Sequence, residues 1–239
     1  MGIESKEIKS IISTEVELRK ILGEPSERAL KKVISSLDYH CVDFLSKSPF
    51  LVLSTANKLG ECDASPRGDA AGFVYVFNHN KIIIPERPGN RRIDSILNII
   101  SNPRVGLIFF IPGLGETLRI NGRAYITNDE EILQEMQVNG RNPLLGIVVE
   151  IEECYIHCAK AFIRSKMWDP ESWLHKKELP SAAKMLLEKD LTAETLIGDI
   201  DEILLDAQTL QNMKLAAGQL GIPDAANKLN EVMNKFVKK

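Results

Sequence analysis

Arginines are concentrated where a predicted strand turns into a predicted helix. Arg87, Arg91 and Arg92 surround a Pro-Gly turn, and Asn90 is a candidate N-cap for a helix expected from about Arg91 to Ile100. The free amides of a helix start carry partial positive charge, so cations there are unfavourable unless an anion is bound. Amides and guanidinium groups together bind phosphate. The segment therefore predicts a phosphate site, and a solvated basic turn is the alternative.

A second candidate follows a predicted strand that runs from about Cys62 to Ser65. Ser65 and Arg67 supply a hydroxyl and a guanidinium group, and Gly68 would let the backbone approach a ligand closely. The segment is a candidate for anion binding. The alternative is a surface loop in which Arg67 pairs with Asp69.

The predicted sixth strand, from Thr117 to Thr127, begins with an alternation of polar and apolar residues. Alternation places four polar residues on one face of the strand: Thr117, Arg119, Asn121 and Arg123. Such a face at the mouth of a small barrel could donate hydrogen bonds to a heterocycle. An exposed strand face explains the pattern equally well.

A basic stripe is predicted after the seventh strand. If the segment is helical, His157, Lys160 and Arg164 share one face, and Trp168 lies one turn further along it. Cations beside an indole ring could hold a flat, anionic ligand. The alternative is a solvated face with a tryptophan in the core.

The sequence motifs give little support to a metal site or to a familiar nucleotide-binding site. Cys154, His157 and Cys158 resemble half of a zinc site, but a second pair of ligands at suitable spacing is missing. The sequence contains no Walker A motif and no dinucleotide-binding glycine motif after the first strand. We predict no metal site and identify no catalytic residue.

Composition narrows the functional classes further. The 239 residues carry a net charge of -3 and a pI of about 5.9, whereas nucleic-acid binders are usually basic. No apolar run approaches the roughly 18 residues that span a bilayer, and the first residues lack the pattern of a secretory signal. We therefore expect a cytoplasmic protein that binds neither nucleic acid nor membrane, with reduced cysteines.

The order of the elements predicts a mainly β (α+β) fold. Residues 1–47 have the apolar spacing of helices that pack on a barrel, and residues 48–170 read as seven short strands joined mainly by turns. One helix lies between the fourth and fifth strands. Short antiparallel strands favour a barrel over a βαβ sheet. Residues 181–239 are again helical in pattern and form a predicted C-terminal extension.

An ordered series of short motifs between Ser48 and Trp168 resembles one known family. The motifs are SPFLVL from Ser48, SPRGD from Ser65, IPERPGN from Ile84, DS at Asp94, NPRVG from Asn102, ETLRING from Glu116 and HCAKA from His157. In this order they resemble the pyridoxamine phosphate oxidase-related FMN-binding proteins. The SPRGD segment stands where the true oxidases carry an arginine strand that ends in lysine, so the substrate stays open.

The resemblance implies an FMN-binding split β-barrel that forms a homodimer with the cofactor at the dimer interface. It implies phosphate contacts near the inserted helix, flavin-ring contacts from the fourth and sixth strands, and further contacts after the seventh strand. The implied residues are Ser65, Arg67, Ile84, Pro85, Arg87, Asn90, Arg91, Arg92, Ser95, Thr117, Lys160, Arg164 and Trp168.

The function that the resemblance implies is FMN-dependent oxidation or reduction of a small molecule, in which the flavin carries the redox chemistry. One alternative is a flavin-binding protein without catalysis: a store, a sensor or a carrier. Another keeps the barrel but binds deazaflavin or haem. A third is a protein–protein module that docks through the C-terminal helices.

Overall fold

The structure is a computed structural model that describes residues 7, 8 and 10–181. The chain divides into two units between Ser172 and Trp173, and all elements named below belong to the first. The predicted C-terminal helical extension lies outside the described residues, apart from Ser181. None of the helices in the described part of the chain is long and apolar enough to cross a membrane.

The described residues of the first unit form seven strands and six short helices. The helices are α1 Glu15–Leu22, α2 Glu27–Lys31, α3 Tyr39–Lys47, α4 Asp94–Ser101, α5 Glu130–Gln134 and α6 Lys160–Ser165, followed by a 3-10 turn at Pro170–Ser172. The strands are β1 Phe50–Ala56, β2 Cys62–Gly68, β3 Tyr75–Asn78, β4 Lys81–Glu86, β5 Arg104–Phe110, β6 Thr117–Thr127 and β7 Leu145–His157.

The seven strands form one antiparallel sheet in the order β2-β1-β5-β6-β7-β4-β3. An ion pair joins Arg67 on β2 to Glu86 on β4, although four strands lie between β2 and β4 in the sheet order. The sheet must therefore curve round until its ends approach each other. The predicted mainly β split-barrel fold is confirmed.

Alternating side chains fill the interior of this curved sheet. Leu51 and Leu53 on β1, Phe109 on β5 and Ile120 on β6 are fully or almost fully buried in the main core. Burying one such side chain contributes about 1.5–3 kcal/mol. Among the N-terminal helices, α3 joins this core through buried residues, whereas α1 buries none. The core therefore begins at the end of the N-terminal helical segment.

Helix α4 begins three residues later than the sequence predicts. The expectation of a start at Arg91 with Asn90 as N-cap is wrong, because Arg91 and Ile93 have positive φ angles of 58° and 52°. A right-handed helix cannot continue through such residues. Asp94 is the first helical residue, and the side chain of Asn90 instead accepts a hydrogen bond from the amide of Arg92 at 3.1 Å.

Two further expectations about secondary structure need correction. The Ser65–Gly68 segment is not a loop, because β2 continues to Gly68 and pairs with β1 along its whole length. An edge strand accommodates Pro66, whose nitrogen cannot donate a hydrogen bond. His157 is not helical: it ends β7 opposite Thr117, and α6 begins only at Lys160.

Candidate functional site

A polar layer lines the core-side face of β2. Asp63, Ser65 and Arg67 alternate along the strand and lie opposite Thr55, Leu53 and Leu51 of β1, so both sets share one face. Helix α4 lies against these two strands. The buried Ser95 hydroxyl donates to the Asp63 carboxylate at 2.6 Å, which fixes the start of α4 over the polar layer.

Three of the predicted phosphate-binding arginines face carboxylates of their own chain. Arg67 pairs with Glu86, Arg87 Nε lies 2.7 Å from Asp69 Oδ2, and Arg92 Nε lies 2.8 Å from Asp94 Oδ2. The Arg67 side chain is only 14% exposed, whereas Arg92 is largely exposed. An anion that binds here therefore competes with carboxylates for these guanidinium groups.

Arg67 nevertheless keeps one unused donor. Its Nε is buried and has no hydrogen-bond partner among the described residues. A buried donor without a partner costs about 1–3 kcal/mol, which a ligand oxygen would recover. No side chain caps α4, so the first amides of this helix are also left for a ligand or for water. These donors fit a phosphate group.

An apolar pocket of about 550 Å³ lies between the sheet and α6. Its walls include Phe50, Phe110, Phe162 and Trp168. The rings of Phe162 and Trp168 stack, with centroids 5.6 Å apart and an angle of 11° between their planes. The indole Nε1 of Trp168 donates to the carbonyl oxygen of Leu114 at 2.8 Å. The pocket therefore has fixed, flat aromatic walls that suit a flat ligand.

The polar layer and the apolar pocket lie on opposite faces of the sheet. Phe50, in the pocket wall, directly precedes the core residue Leu51, which lies opposite Arg67. Successive residues of a strand point to opposite faces. Thr117 directly precedes the core residue Leu118, so alternation also places it on the pocket face. The predicted site residues thus form two groups that the sheet separates within one chain.

The remaining predicted residues have varied surroundings. Ile84 is fully buried in the main core, and Pro85 is also buried, so both side chains are enclosed within the chain. Asn90 and Arg91 lie in the exposed segment before α4, and Lys160 and Arg164 are exposed on α6. The structure brings neither α6 residue to the polar layer.

Sequence reasoning missed Asp63, Glu86 and the phenylalanines of the site. It paired Asp69 with Arg67 in one alternative, whereas Asp69 pairs with Arg87. Asp63 has the same two-residue spacing as Ser65 and Arg67, which was a usable signal in the sequence. Glu86 offered no such signal, because its pairing with Arg67 depends on the curvature of the sheet. Phe162 lines the pocket through its ring contacts with Trp168 and Phe110.

Comparison with known proteins identifies the family of the central segment. A family model described as pyridoxamine 5'-phosphate oxidase matches residues 37–158. Similar solved structures include HupZ from Group A Streptococcus (14% identity, 50% of this chain and 93% of that chain, TM-score 0.42) and an FMN-binding protein from Syntrophomonas wolfei (12%, 60% and 93%, TM-score 0.39). A third is general stress protein 26 from Bacillus anthracis (15%, 49% and 93%, TM-score 0.37).

A second similarity concerns a short stretch of the chain. Fifty-eight residues are 95% identical to a UDP-N-acetylglucosamine–N-acetylmuramyl-(pentapeptide) pyrophosphoryl-undecaprenol N-acetylglucosamine transferase of Bacillus thuringiensis. The corresponding enzyme of Bacillus licheniformis is 46% identical over 56 residues. The chain spans only 16% and 15% of the length of these curated relatives.

Proposed function

Because the chain belongs to the pyridoxamine 5'-phosphate oxidase family, we propose that it is an FMN-binding flavoprotein that acts as an oxidoreductase on a small molecule. Bound FMN would supply the hydride or electron transfer. The chain's own residues would bind the phosphate, enclose the ring and exclude water. Four free thiols fit a reducing compartment, so a cytoplasmic location is part of the proposal.

The observation that carries this proposal is the buried, unpartnered Nε of Arg67 on β2. The uncapped start of α4, a helix that packs against β1 and β2, supplies further donors. In this proposal the FMN phosphate accepts hydrogen bonds from Arg67 and from the first amides of α4. Ser95 contacts Asp63 of the polar layer, and Arg87 pairs with Asp69 directly after β2. Both would complete the phosphate contacts. Glu86 and Asp69 orient the two arginines while no ligand is bound.

We propose that a homodimer completes the site. One copy would supply the polar layer around Arg67, and its partner would supply the pocket face with Thr117 and Trp168. The separation of these two groups by the sheet supports this arrangement, because a single chain cannot present both to one ligand. The aromatic pocket would then lie beside the flavin and receive a flat, largely apolar substrate.

A comparison of FMN with riboflavin tests the phosphate assignment. Riboflavin lacks the phosphate, so Arg67→Gln should weaken FMN binding about 10- to 100-fold, the value of one charge-assisted contact, and leave riboflavin binding unchanged. Arg104→Gln is the matched control, because Arg104 pairs with Glu152 on an exposed surface. Equal loss of FMN affinity in both variants would contradict the assignment.

Turnover distinguishes the oxidoreductase from a flavin store or carrier. Bleaching of the bound flavin by a small-molecule donor, and its recovery on exposure to an acceptor, would establish catalysis. A flavin that no donor reduces would favour the non-catalytic alternative. A bound chromophore with the absorption of haem or deazaflavin would replace FMN in the proposal.

A further inference from the structure

Two cysteines that the proposed function does not use meet inside the protein. Cys41 on α3 and Cys154 on β7 are 113 residues apart in sequence, and their sulfur atoms lie 3.4 Å apart. Cys41 is 5% exposed and Cys154 is 0% exposed. A disulfide bond requires the two sulfurs to approach to about 2.05 Å, a small movement for two side chains.

Main-chain hydrogen bonds hold the two thiols in this arrangement. The amide of Cys154 donates to the carbonyl of Ile34 at 2.7 Å, and the amide of Ile34 donates back at 3.0 Å. The Asp38 carboxylate caps α3 by accepting a hydrogen bond from the amide of Cys41 at 2.8 Å. The backbone on both sides of the pair is therefore fixed next to the core.

The two thiols differ in chemical character. Cys41 is the third residue of α3, and a helix start favours a thiolate. The hydrogen bond with Cys154 lowers the pKa of Cys41, while the same contact and burial raise the pKa of Cys154. Cys41 also has the only exposed surface of the pair. Cys41 is therefore the sulfur that an oxidant meets first, and Cys154 is the resolving thiol.

We propose that Cys41 and Cys154 form a reversible disulfide when hydrogen peroxide oxidises the protein. The Cys41 thiolate attacks one peroxide oxygen, the O–O bond breaks, and the released hydroxide takes up a proton to become water. Cys154 then attacks the Cys41 sulfenic acid, loses its proton and expels a second water. Two thiols are thus oxidised to one disulfide while one peroxide is reduced to two waters.

The bond would fasten α3 to β7 and close a loop that contains β1 to β6. Because a long closed loop restricts the unfolded chain strongly, the oxidised protein should melt about 10 °C or more above the reduced protein. The inference is independent of the flavin, because the reaction uses only the two thiols and added peroxide.

The test uses the full chain with Cys62→Ser and Cys158→Ser, which removes the two exposed thiols. Peroxide should remove two hydrogen atoms from the intact mass, link the peptides that contain Cys41 and Cys154, and raise the melting temperature. Dithiothreitol should reverse all three changes. Adding Cys41→Ser should abolish the link.

Two results would overturn the proposal: thiols that stay reduced in peroxide, or a gain of oxygen at Cys41 without a link to Cys154. The unmutated chain provides a second test that does not depend on the variants folding. Blocking of free thiols after peroxide treatment, followed by peptide mapping, should show Cys41 and Cys154 joined to each other. Links from either residue to Cys62 or Cys158 in their place would refute the pairing.

Discussion

Mixed dimers test whether two copies of the chain share each flavin site. Arg67→Gln should damage the polar layer, and Trp168→Leu should damage the aromatic pocket on the other face of the sheet. Glutamine can still donate a hydrogen bond to Glu86, and leucine keeps an apolar side chain beside Phe162. Each variant alone should therefore fold and lose most of its FMN affinity.

The expected recovery follows from the geometry of a two-fold dimer. If one site uses Arg67 of one copy and Trp168 of its partner, a heterodimer of the two variants contains one intact site and one doubly damaged site. Random association makes about half of the dimers heterodimers, so roughly one quarter of all sites should bind FMN normally. Purified heterodimers should bind about one FMN per two chains.

Co-expression with two different affinity tags provides the heterodimers, and flavin absorbance per chain provides the assay. The control joins the wild-type chain to a chain that carries both substitutions. If two copies share each site, that heterodimer has one damaged group in each site and should bind no FMN with normal affinity. If each site lies within a single chain, the wild-type chain would keep one intact site. Recovery in the control but not in the mixed variants would refute the shared site.

Two further predictions concern the stability of the fold. Gly122→Ala should destabilise the protein by about 3 kcal/mol, because an added Cβ would lie 2.0 Å from the main-chain oxygen of Glu150 at the bulge between β6 and β7. Urea unfolding should show this loss of stability. The control is Gly89→Ala, which should change stability by less than about 0.5 kcal/mol because no atom lies within 4 Å of the added Cβ. Equal effects of the two substitutions would contradict the account of the bulge. The hydrogen bond from the Cys41 amide to the Asp38 carboxylate lowers the pKa of Asp38. The helix cap should therefore stabilise the protein fully above the ordinary pKa of the carboxylate. This stabilisation should be lost as the pH falls through the lowered pKa. Asp38→Ala should cost about 1 kcal/mol at pH 7 and less in strong acid, as measured by urea unfolding, and a cost that is independent of pH would contradict this role.

The sequence predicts the sheet well because its strands carry local signals. The β6 segment alternates polar and apolar residues from Thr117, and both its ends agree with the structure. The inserted helix was predicted too early, because nothing in the sequence marks Ile93 as left-handed, a conformation that branched residues rarely adopt. Local patterns therefore locate elements more reliably than they locate unusual backbone at a site.

The sequence could predict which residues belong to the candidate site, but not which of them contact each other. Ser65 and Arg67 share a face through simple alternation, which the sequence displays. The pairing of Arg67 with Glu86 depends on a curved sheet that brings β2 to β4, and the bond from Trp168 to Leu114 joins residues 54 positions apart. Long-range contacts of this kind leave no periodic signal in the chain.

The absorption spectrum of the purified full chain, with mass spectrometry of whatever heat releases, tests the central claim most directly. The account predicts a flavin absorption band at about 450 nm, a released molecule with the mass of FMN, and full reloading of the stripped protein with FMN. A colourless protein that also fails to bind added FMN would contradict it.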